Sequence, residues 1–282
     1  MNRENRYIFE LYHYLLNLRD TMEFCLDREH TLAKYDARKK VLVNGIEPTY
    51  ALGNFLKNNG EKGEEIKKKI QTFLDDIYGD DSNVLVKTPT GIRVDHTQHI
   101  KIYDYVIGLQ ETLRDIIAAY MKHAAGQPEG LDPRINELMV NDEVVTRMVI
   151  NMLIFSDYEK SFIEFNKLMN ESKGKPTPQS NFIVQNELVK YGGFLRFSRA
   201  HARCKDNATL DILDEGIKLL DMTEGQRERG SKSFKEMFED QKKNSTERLG
   251  QAEAAWKPVF DGILTEVRQE ALSGKPAEEP QA

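Results

Sequence analysis

The chain has 282 residues, of which 30% are charged and 39% hydrophobic, and its formal net charge is −6. This length allows one large domain or two, and the composition is that of a globular protein. The acidic balance argues against a general nucleic-acid-binding protein, which is usually basic. Two cysteines, Cys25 and Cys204, are too few for a disulfide framework or a four-thiolate zinc site.

The first twenty residues alternate apolar side chains with charges and amides, so they lack the continuous apolar run of a secretory signal peptide. The most apolar stretch, residues 148–155, is too short to span a bilayer. We therefore expect a cytoplasmic protein without membrane contact.

Residues 5–40 have the pattern of one long helix. Apolar residues recur at alternating spacings of three and four from Ile8 to Leu32, and only Glu29 interrupts them. This narrow stripe is typical of coiled-coil-like packing, which predicts a seam for another helix. Two shorter helices should follow the turn at 44–48, and the second should point these residues inward: Ile66, Ile70, Phe73, Leu74 and Ile77.

Residues 83–95 carry the main β signal. β-Branched runs flank a Pro-Thr-Gly turn at 89–91, which predicts a hairpin. Two strands alone are marginally stable, so the hairpin should lean on the bundle or on a partner's sheet. Asp95 and Gln98 then resemble a capping box at the start of a helix that runs to about His123.

The Gly- and Pro-rich stretch near residues 124–133 is the predicted boundary between two lobes. The predicted organisation is an N-terminal helical lobe, a linker, a C-terminal helical lobe and a disordered tail: 1–124, 125–133, 134–272 and 273–282.

Long helices dominate the predicted C-terminal lobe. Asp132 and Pro133 should restart a helix, as cap residue and first-turn residue. We expect one long helix at about 142–172 and one at about 225–272, and Pro258 should kink or break the second. Between them we expect shorter helices at about 181–191, 194–204 and 208–222.

A basic stretch at residues 190–205 contains no acidic side chain. Arginines three and four residues apart fall on one helical stripe, and guanidinium groups bind anions bidentately. The candidate anion- or partner-binding residues are Lys190, Arg196, Arg199, Arg203 and Lys205. The alternative interpretation is a solvated helix face that pairs with acidic helices of the same protein.

Metal-ligating patterns are sparse. Glu10 and His13 have the spacing found in di-iron carboxylate bundles, but no second Glu-x-x-His motif completes such a site. His96 and His99 could supply two ligands at a strand-to-helix junction, and further ligands would have to come from elsewhere. We predict no metal site and no cofactor.

Motifs for catalysis are also missing. The chain has no phosphate-binding loop, no dinucleotide fingerprint and no nucleophile elbow. Cys25 lies on the apolar seam of the first helix, where a thiol is typically buried and inert.

We therefore predict a mainly α protein, a multi-helix bundle in two lobes with long coiled-coil-like helices and one inserted β-hairpin. The leading function hypothesis is a non-enzymatic cytoplasmic adaptor or scaffold that binds a protein partner or self-associates. One alternative is an anion- or RNA-binding module that uses residues 190–205, although the overall charge does not favour nucleic acid. The other is a metal-dependent helical-bundle enzyme.

Overall fold

A computed structural model describes the backbone of residues 1–22, 24, 30–95, 98–175, 177–180 and 224–273. The described chain is mainly helical with one small antiparallel hairpin, which confirms the predicted fold class. It divides into two compact units, and the first combines residues 1–140 with 256–282. The second unit comprises residues 141–255.

Helix α1 (Arg3–Asp20) is the central helix of the first unit. The side chain of Asn2 caps its start by accepting a hydrogen bond from the backbone N–H of Asn5. The apolar seam is buried within the chain, because Ile8, Leu11 and Leu15 are all fully buried. The seam therefore forms the core of the first unit and needs no partner chain to cover it.

The predicted single helix over residues 5–40 is wrong. Helix α1 ends at Asp20, and helix α2 (Leu32–Asn44) starts after Thr31, whose side chain accepts a hydrogen bond from the N–H of Lys34. His30 explains the break: its N–H and C=O pair with Ile92 at 2.7 and 2.8 Å. A residue in this extended bridge cannot continue an α-helix, since both backbone groups are already used.

Helices α3 (Ala51–Asn58) and α4 (Gly60–Tyr78) follow, and Gly60 joins them with φ near +53°. That left-handed conformation favours glycine because it has no Cβ. The inward face predicted for the second of these helices is confirmed. The buried residues include Ile66, Ile70, Phe73, Leu74 and Ile77.

The hairpin consists of β1 (Leu85–Lys87) and β2 (Ile92–Val94), as the sequence predicted. The turn between them is held by Thr88, which bonds Gly91 through its backbone and its hydroxyl. The bridge from His30 to β2 shows that the hairpin pairs within the chain, so it leans on the bundle.

Helix α5 (His99–Ala125) leaves the hairpin, and Gln98 occupies its cap position without a side-chain capping bond. The capping box predicted at Asp95 and Gln98 stays a prediction, because residues 96 and 97 between them lie outside the described residues. Helix α5 packs against α1 and α4, and its Tyr105 hydroxyl donates to Asp76 at 2.6 Å.

The loop after α5 is fixed to the first turn of α1. The buried side chain of Asn5 donates to the carbonyl of Gly130 at 3.1 Å and accepts from the N–H of Asp132 at 2.9 Å. Asp132 in turn accepts from the N–H of Arg134, so it caps the next helix. The side chain of Asn5 therefore satisfies two backbone groups of the loop, which would otherwise need water as their hydrogen-bond partner.

Two long helices complete the described chain: α6 (Pro133–Glu171) and α7 (Glu224–Leu272). Helix α6 starts at Pro133 after the cap residue Asp132, as the sequence predicted, and it continues without interruption through the range of the predicted long helix. Helix α7 matches the predicted range, and it is not broken at Pro258. No described helix has the length and apolarity needed to cross a membrane.

Candidate functional site: an exposed helix face and a terminal clasp

Helix α2 is held to the bundle by a few specific contacts on its inner side. Tyr35 and Leu42 are its buried residues. The Tyr35 hydroxyl donates to the carbonyl of Tyr78 at 3.1 Å, and the Tyr14 hydroxyl donates to the carbonyl of Leu42 at 3.2 Å. These bonds join α2 to α4 and α1, so its orientation is fixed from within.

Arg38 adds a charged contact to the inner side of α2. Its guanidinium lies 5.4 Å from the ring centre of Phe24, and its Nη1 lies 3.5 Å from a carboxylate oxygen of Asp20. Phe24 also contacts the buried ring of His30 edge-on at 4.4 Å. Burial lowers the pKa of Arg38 below its ordinary value, although arginine stays charged at neutral pH.

The end of α2 packs closely on α1. A methyl group at Gly45 would overlap the ring of Tyr14, so the chain can approach α1 at this point only without a Cβ. The N–H of Gly53 then donates to the carbonyl of Gly45 at 3.2 Å, which ties α3 to the same point.

Several large hydrophobic side chains are exposed on α2 and just beyond it. The large hydrophobic side chains that are exposed in the described chain are Leu32, Val41, Val43, Tyr50, Val140 and Leu272. Four of these six lie between residues 32 and 50, on α2 or just beyond it. Scattered exposed hydrophobic residues are ordinary, but a local concentration on one short helix is typical of a contact surface.

The same helix is strongly basic. It carries four basic side chains and a single acidic one, Asp36, in a protein whose net charge is −6. Lys34 and Val41 are seven residues apart, so they lie on the same side of the helix, and Lys40 points to solvent between the two flanks. Leu32 and Val43 are eleven residues apart and lie on the opposite flank of the helix from Val41. We call the exposed residues on both flanks and between them the α2 face: Leu32, Lys34, Lys40, Val41 and Val43.

The second feature is a clasp between the last helix and α1, which starts with stacked aromatic rings. Trp256 and Phe260 stack at 4.9 Å, and the ring of Phe260 lies 5.4 Å from that of Phe9. The indole N–H of Trp256 donates to the hydroxyl of Tyr12. The guanidinium of Arg19 lies 5.4 Å from the centre of the indole, a cation–π contact.

An ionic network continues the clasp. Glu266 is bonded through both carboxylate oxygens, to the amino group of Met1 at 2.7 Å and to Arg134 at 2.8 Å. Arg134 also binds Asp132 at 2.6 Å, and the amino group reaches Glu270 at 3.0 Å. We call these five residues, together with Phe9, Tyr12, Trp256 and Phe260, the terminal clasp.

These contacts lower the pKa values of two carboxylates in the clasp and raise the pKa of the amino group. Hydrogen bonds from the Met1 amino group and from Arg134 lower the pKa of Glu266. The hydrogen bond from Arg134 lowers the pKa of Asp132, and the bonds to Glu266 and Glu270 raise the pKa of the amino group. Each charged form is therefore favoured by its neighbours, as expected for a network of opposite charges.

His13 lies at the edge of the clasp. Its ring is 5.8 Å from that of Phe260, and burial together with the nearby charge of Arg268 lowers its pKa. A neutral imidazole is favoured there, because a charged ring would be desolvated beside another cation. Glu10, the other half of the Glu-x-x-His spacing, pairs with Arg6 at 3.2 Å.

The sequence-predicted anion-binding residues lie outside the described residues: Lys190, Arg196, Arg199, Arg203 and Lys205. The predicted helices between residues 181 and 222 lie there as well. Their arrangement stays a prediction.

The histidine pair is described only in part. His99 is the first residue of α5, its side chain is not described, and His96 lies outside the described residues. In the part of the chain with described side chains, no three His, Cys, Asp or Glu residues form a group that could hold a metal ion. Cys25 and Cys204 also lie outside this part.

Sequence reasoning missed both features described above. It assigned Leu32 to a buried seam, although this residue is exposed at the start of α2. Arg134 and Glu266 are 132 residues apart, and no local pattern connects them. The one available signal was the apolar group around Trp256 in an otherwise polar helix, which is typical of a segment that packs on a distant surface.

Comparisons with known proteins identify no relative. The chain matches no protein-family model, no curated protein and no solved structure.

Proposed function

We propose that this chain is a non-enzymatic protein that acts through protein–protein contacts, as an adaptor or assembly component in the cytoplasm. The observation that carries the proposal is the α2 face. Its exposed apolar side chains stand on a helix whose inner side is fixed by Tyr35, Leu42 and Arg38. A fixed helix with an exposed apolar surface is a common way to bind another helix.

The pattern of exposed and buried side chains along the last helix supports the same proposal. From 243 to 255, α7 exposes its side chains to solvent except for the buried Ser245 and Ala252 and the half-buried Leu249. Together with Trp256 these residues follow spacings of four, three and four, a narrow stripe like that of a coiled coil. A long helix that is polar on most sides can stand in solvent and leave its surface accessible to other proteins.

A photo-crosslinking experiment tests this proposal. A benzoylphenylalanine would replace Val41, Thr72 or Glu247 in turn, which are exposed positions on α2, α4 and α7. Irradiation of cells that make the protein should give an adduct of discrete mass, containing protein, from at least one position. The proposal fails if all three positions give no discrete adduct, or give adducts with nucleic acid only.

A further inference from the structure

The chain contains two Asn-Gly dipeptides, Asn44-Gly45 and Asn59-Gly60, and the fold places them in opposite surroundings. In such a pair the backbone nitrogen of the glycine can attack the side-chain amide of the asparagine, because glycine has no Cβ to shield that nitrogen or to restrict the main chain. The attack requires an accessible backbone N–H and a peptide unit that can rotate. The surroundings of each pair therefore decide whether the folded chain permits this reaction.

The first pair is held in place. Asn44 is the last residue of α2, and the N–H of Gly45 donates to the carbonyl of Val41 at 3.0 Å. Gly45 is buried and has helical dihedral angles, φ −61° and ψ −19°. A Cβ on this glycine would overlap the ring of Tyr14, so the peptide unit has no space in which to rotate. Hydrogen bonding and packing both protect Asn44.

The second pair is accessible. Asn59 and Gly60 are both exposed, and an added Cβ on Gly60 would meet nothing within 4 Å. Gly60 is the first residue of α4, where an N–H has no acceptor within its own helix. In the described part of the chain, no backbone carbonyl accepts from this N–H. The side chain of Asn59 donates to the carbonyl of Phe55 at 2.7 Å, and an exposed amide can exchange such a bond for water.

We propose that Asn59 is a site of spontaneous deamidation in the folded protein and that Asn44 is protected. The peptide unit rotates away from the ψ of 21° at Asn59, and the Gly60 nitrogen loses its proton to solvent and bonds to Cγ of Asn59. The side-chain nitrogen takes up a proton and leaves as ammonia, which closes a five-membered imide. Water then opens the imide at one of its two carbonyls and gives aspartate or isoaspartate. No electrons are exchanged, and water is the one co-reactant.

Either product alters the junction between α3 and α4. The new carboxylate adds a negative charge and cannot donate to Phe55, and isoaspartate also adds one carbon to the main chain. The two helices approach closely at this junction, since a Cβ on Gly63 would overlap the carbonyl oxygen of Leu56. The N–H of Gly63 also donates to the carbonyl of Asn59 at 3.2 Å. A longer main chain should therefore loosen the packing of α3 on α4.

Peptide mapping of the full chain tests the proposal directly. Trypsin cleaves after lysine, so Asn44 falls in the peptide 41–57 and Asn59 in the peptide 58–62. The folded protein is incubated at neutral pH in heavy-oxygen water and is then digested in ordinary water. Conversion during the incubation incorporates heavy oxygen, which distinguishes it by mass from conversion during digestion. The peptide 58–62 should convert at least about tenfold faster than the peptide 41–57, because the fold raises the barrier only for the second.

The same chain in denaturant is the matched control. Both pairs are then exposed, and the two peptides should convert at comparable rates. Fragmentation of the peptide 58–62 distinguishes Asn59 from Asn58. The variant N59Q should prevent the conversion, since a glutamine side chain would have to close a larger ring. The denaturant midpoint of the wild type should fall as this peptide converts, and that of N59Q should stay constant over the same incubation.

Equal conversion of the two peptides in the folded protein would overturn the inference. It would also fail if the peptide 58–62 stayed unmodified in the folded chain and converted in denaturant, because the fold would then protect this junction as well. Modification at Asn58 instead of Asn59 would assign the wrong site. A constant denaturant midpoint in wild-type protein whose peptide 58–62 has converted would reject the loosening of α3 on α4.

Discussion

At the scale of single residues, close backbone approach determines where side chains are tolerated. A methyl group at Gly53 would overlap the carbonyl oxygen of Glu47, while the same group at Gly108 in α5 meets nothing within 4 Å. Backbone atoms cannot move aside as the end of a flexible side chain can. The two glycines therefore respond to the same substitution in opposite ways.

Gly53→Ala should destabilise the protein by about 1–3 kcal/mol, since the overlap forces the turn before α3 to shift. Gly108→Ala should stabilise it by roughly 0.5–1 kcal/mol, because alanine loses less conformational freedom in a helix interior. Denaturant unfolding of both variants measures the two changes in the free energy of unfolding. A loss of stability in Gly108→Ala as large as in Gly53→Ala would contradict this account.

At the scale of elements, α1 and α2 have opposite roles although the sequence presents them as one helix. Leu15 of α1 is fully buried, and Leu32 of α2 is 52% exposed. The seam of α1 is core, so its leucines stabilise folding and leave little surface for assembly. The apolar residues of α2 remain accessible.

A matched pair of charge substitutions tests this division. Leu15→Asp together with Leu18→Asp should abolish folding, because both side chains are buried and an unpaired carboxylate there costs several kcal/mol. Leu32→Asp should change the free energy of unfolding by less than about 0.5 kcal/mol. Circular dichroism and denaturant unfolding distinguish the two outcomes. A folded Leu15/Leu18 variant that only loses self-association would show that the α1 seam is an interface.

The terminal clasp connects the end of α7 to α1, and its carboxylates make it sensitive to acid. The pKa values of Glu266 and Asp132 are lowered in the folded protein. Their contribution is therefore present above the ordinary pKa values of 4.5 and 3.8, and it is lost as pH falls through the lower folded values. His13, whose pKa is also lowered, adds an acid-dependent loss from below its ordinary value of 6.5.

Trp256 is the single tryptophan of the chain, so its emission reports on the clasp. The denaturant midpoint followed by this emission should fall from pH 7 to pH 3. Arg134→Gln should lower the midpoint at pH 7 and flatten its dependence below about pH 5, because Glu266 and Asp132 lose a shared cation. His13 is unchanged in this variant, so the difference isolates the carboxylates. Identical pH dependence in both proteins would show that Arg134 does not couple to them.

The sequence predicted elements well where local periodicity decides their structure. The inward residues of α4, such as Ile70 and Ile77, follow from spacing alone, because one face of that helix meets the core. The break between α1 and α2 could not be predicted in this way. It depends on a backbone bridge from His30 to Ile92, which is a contact between segments 62 residues apart.

At the scale of the whole molecule, the site was harder to predict than the fold. The α2 face consists of residues such as Leu32, which the repeat of apolar positions assigns to a buried stripe. Exposure depends on which neighbouring helices cover a surface, and a single helical pattern carries no information on that. The clasp between Glu266 and Arg134 is equally non-local, while the basic stretch at 190–205 stays a prediction.

The central claim is that this chain acts through protein contacts. Size-exclusion chromatography of the untagged protein, with light scattering and absorbance at two wavelengths, tests it most directly. The account predicts protein without nucleic acid, at a defined multiple of 32.5 kDa or with a stoichiometric protein partner that persists from the cell extract. A partner-free monomer at all concentrations, or co-eluting nucleic acid that salt removes, would contradict it. The second result would instead support the basic stretch as an anion-binding site.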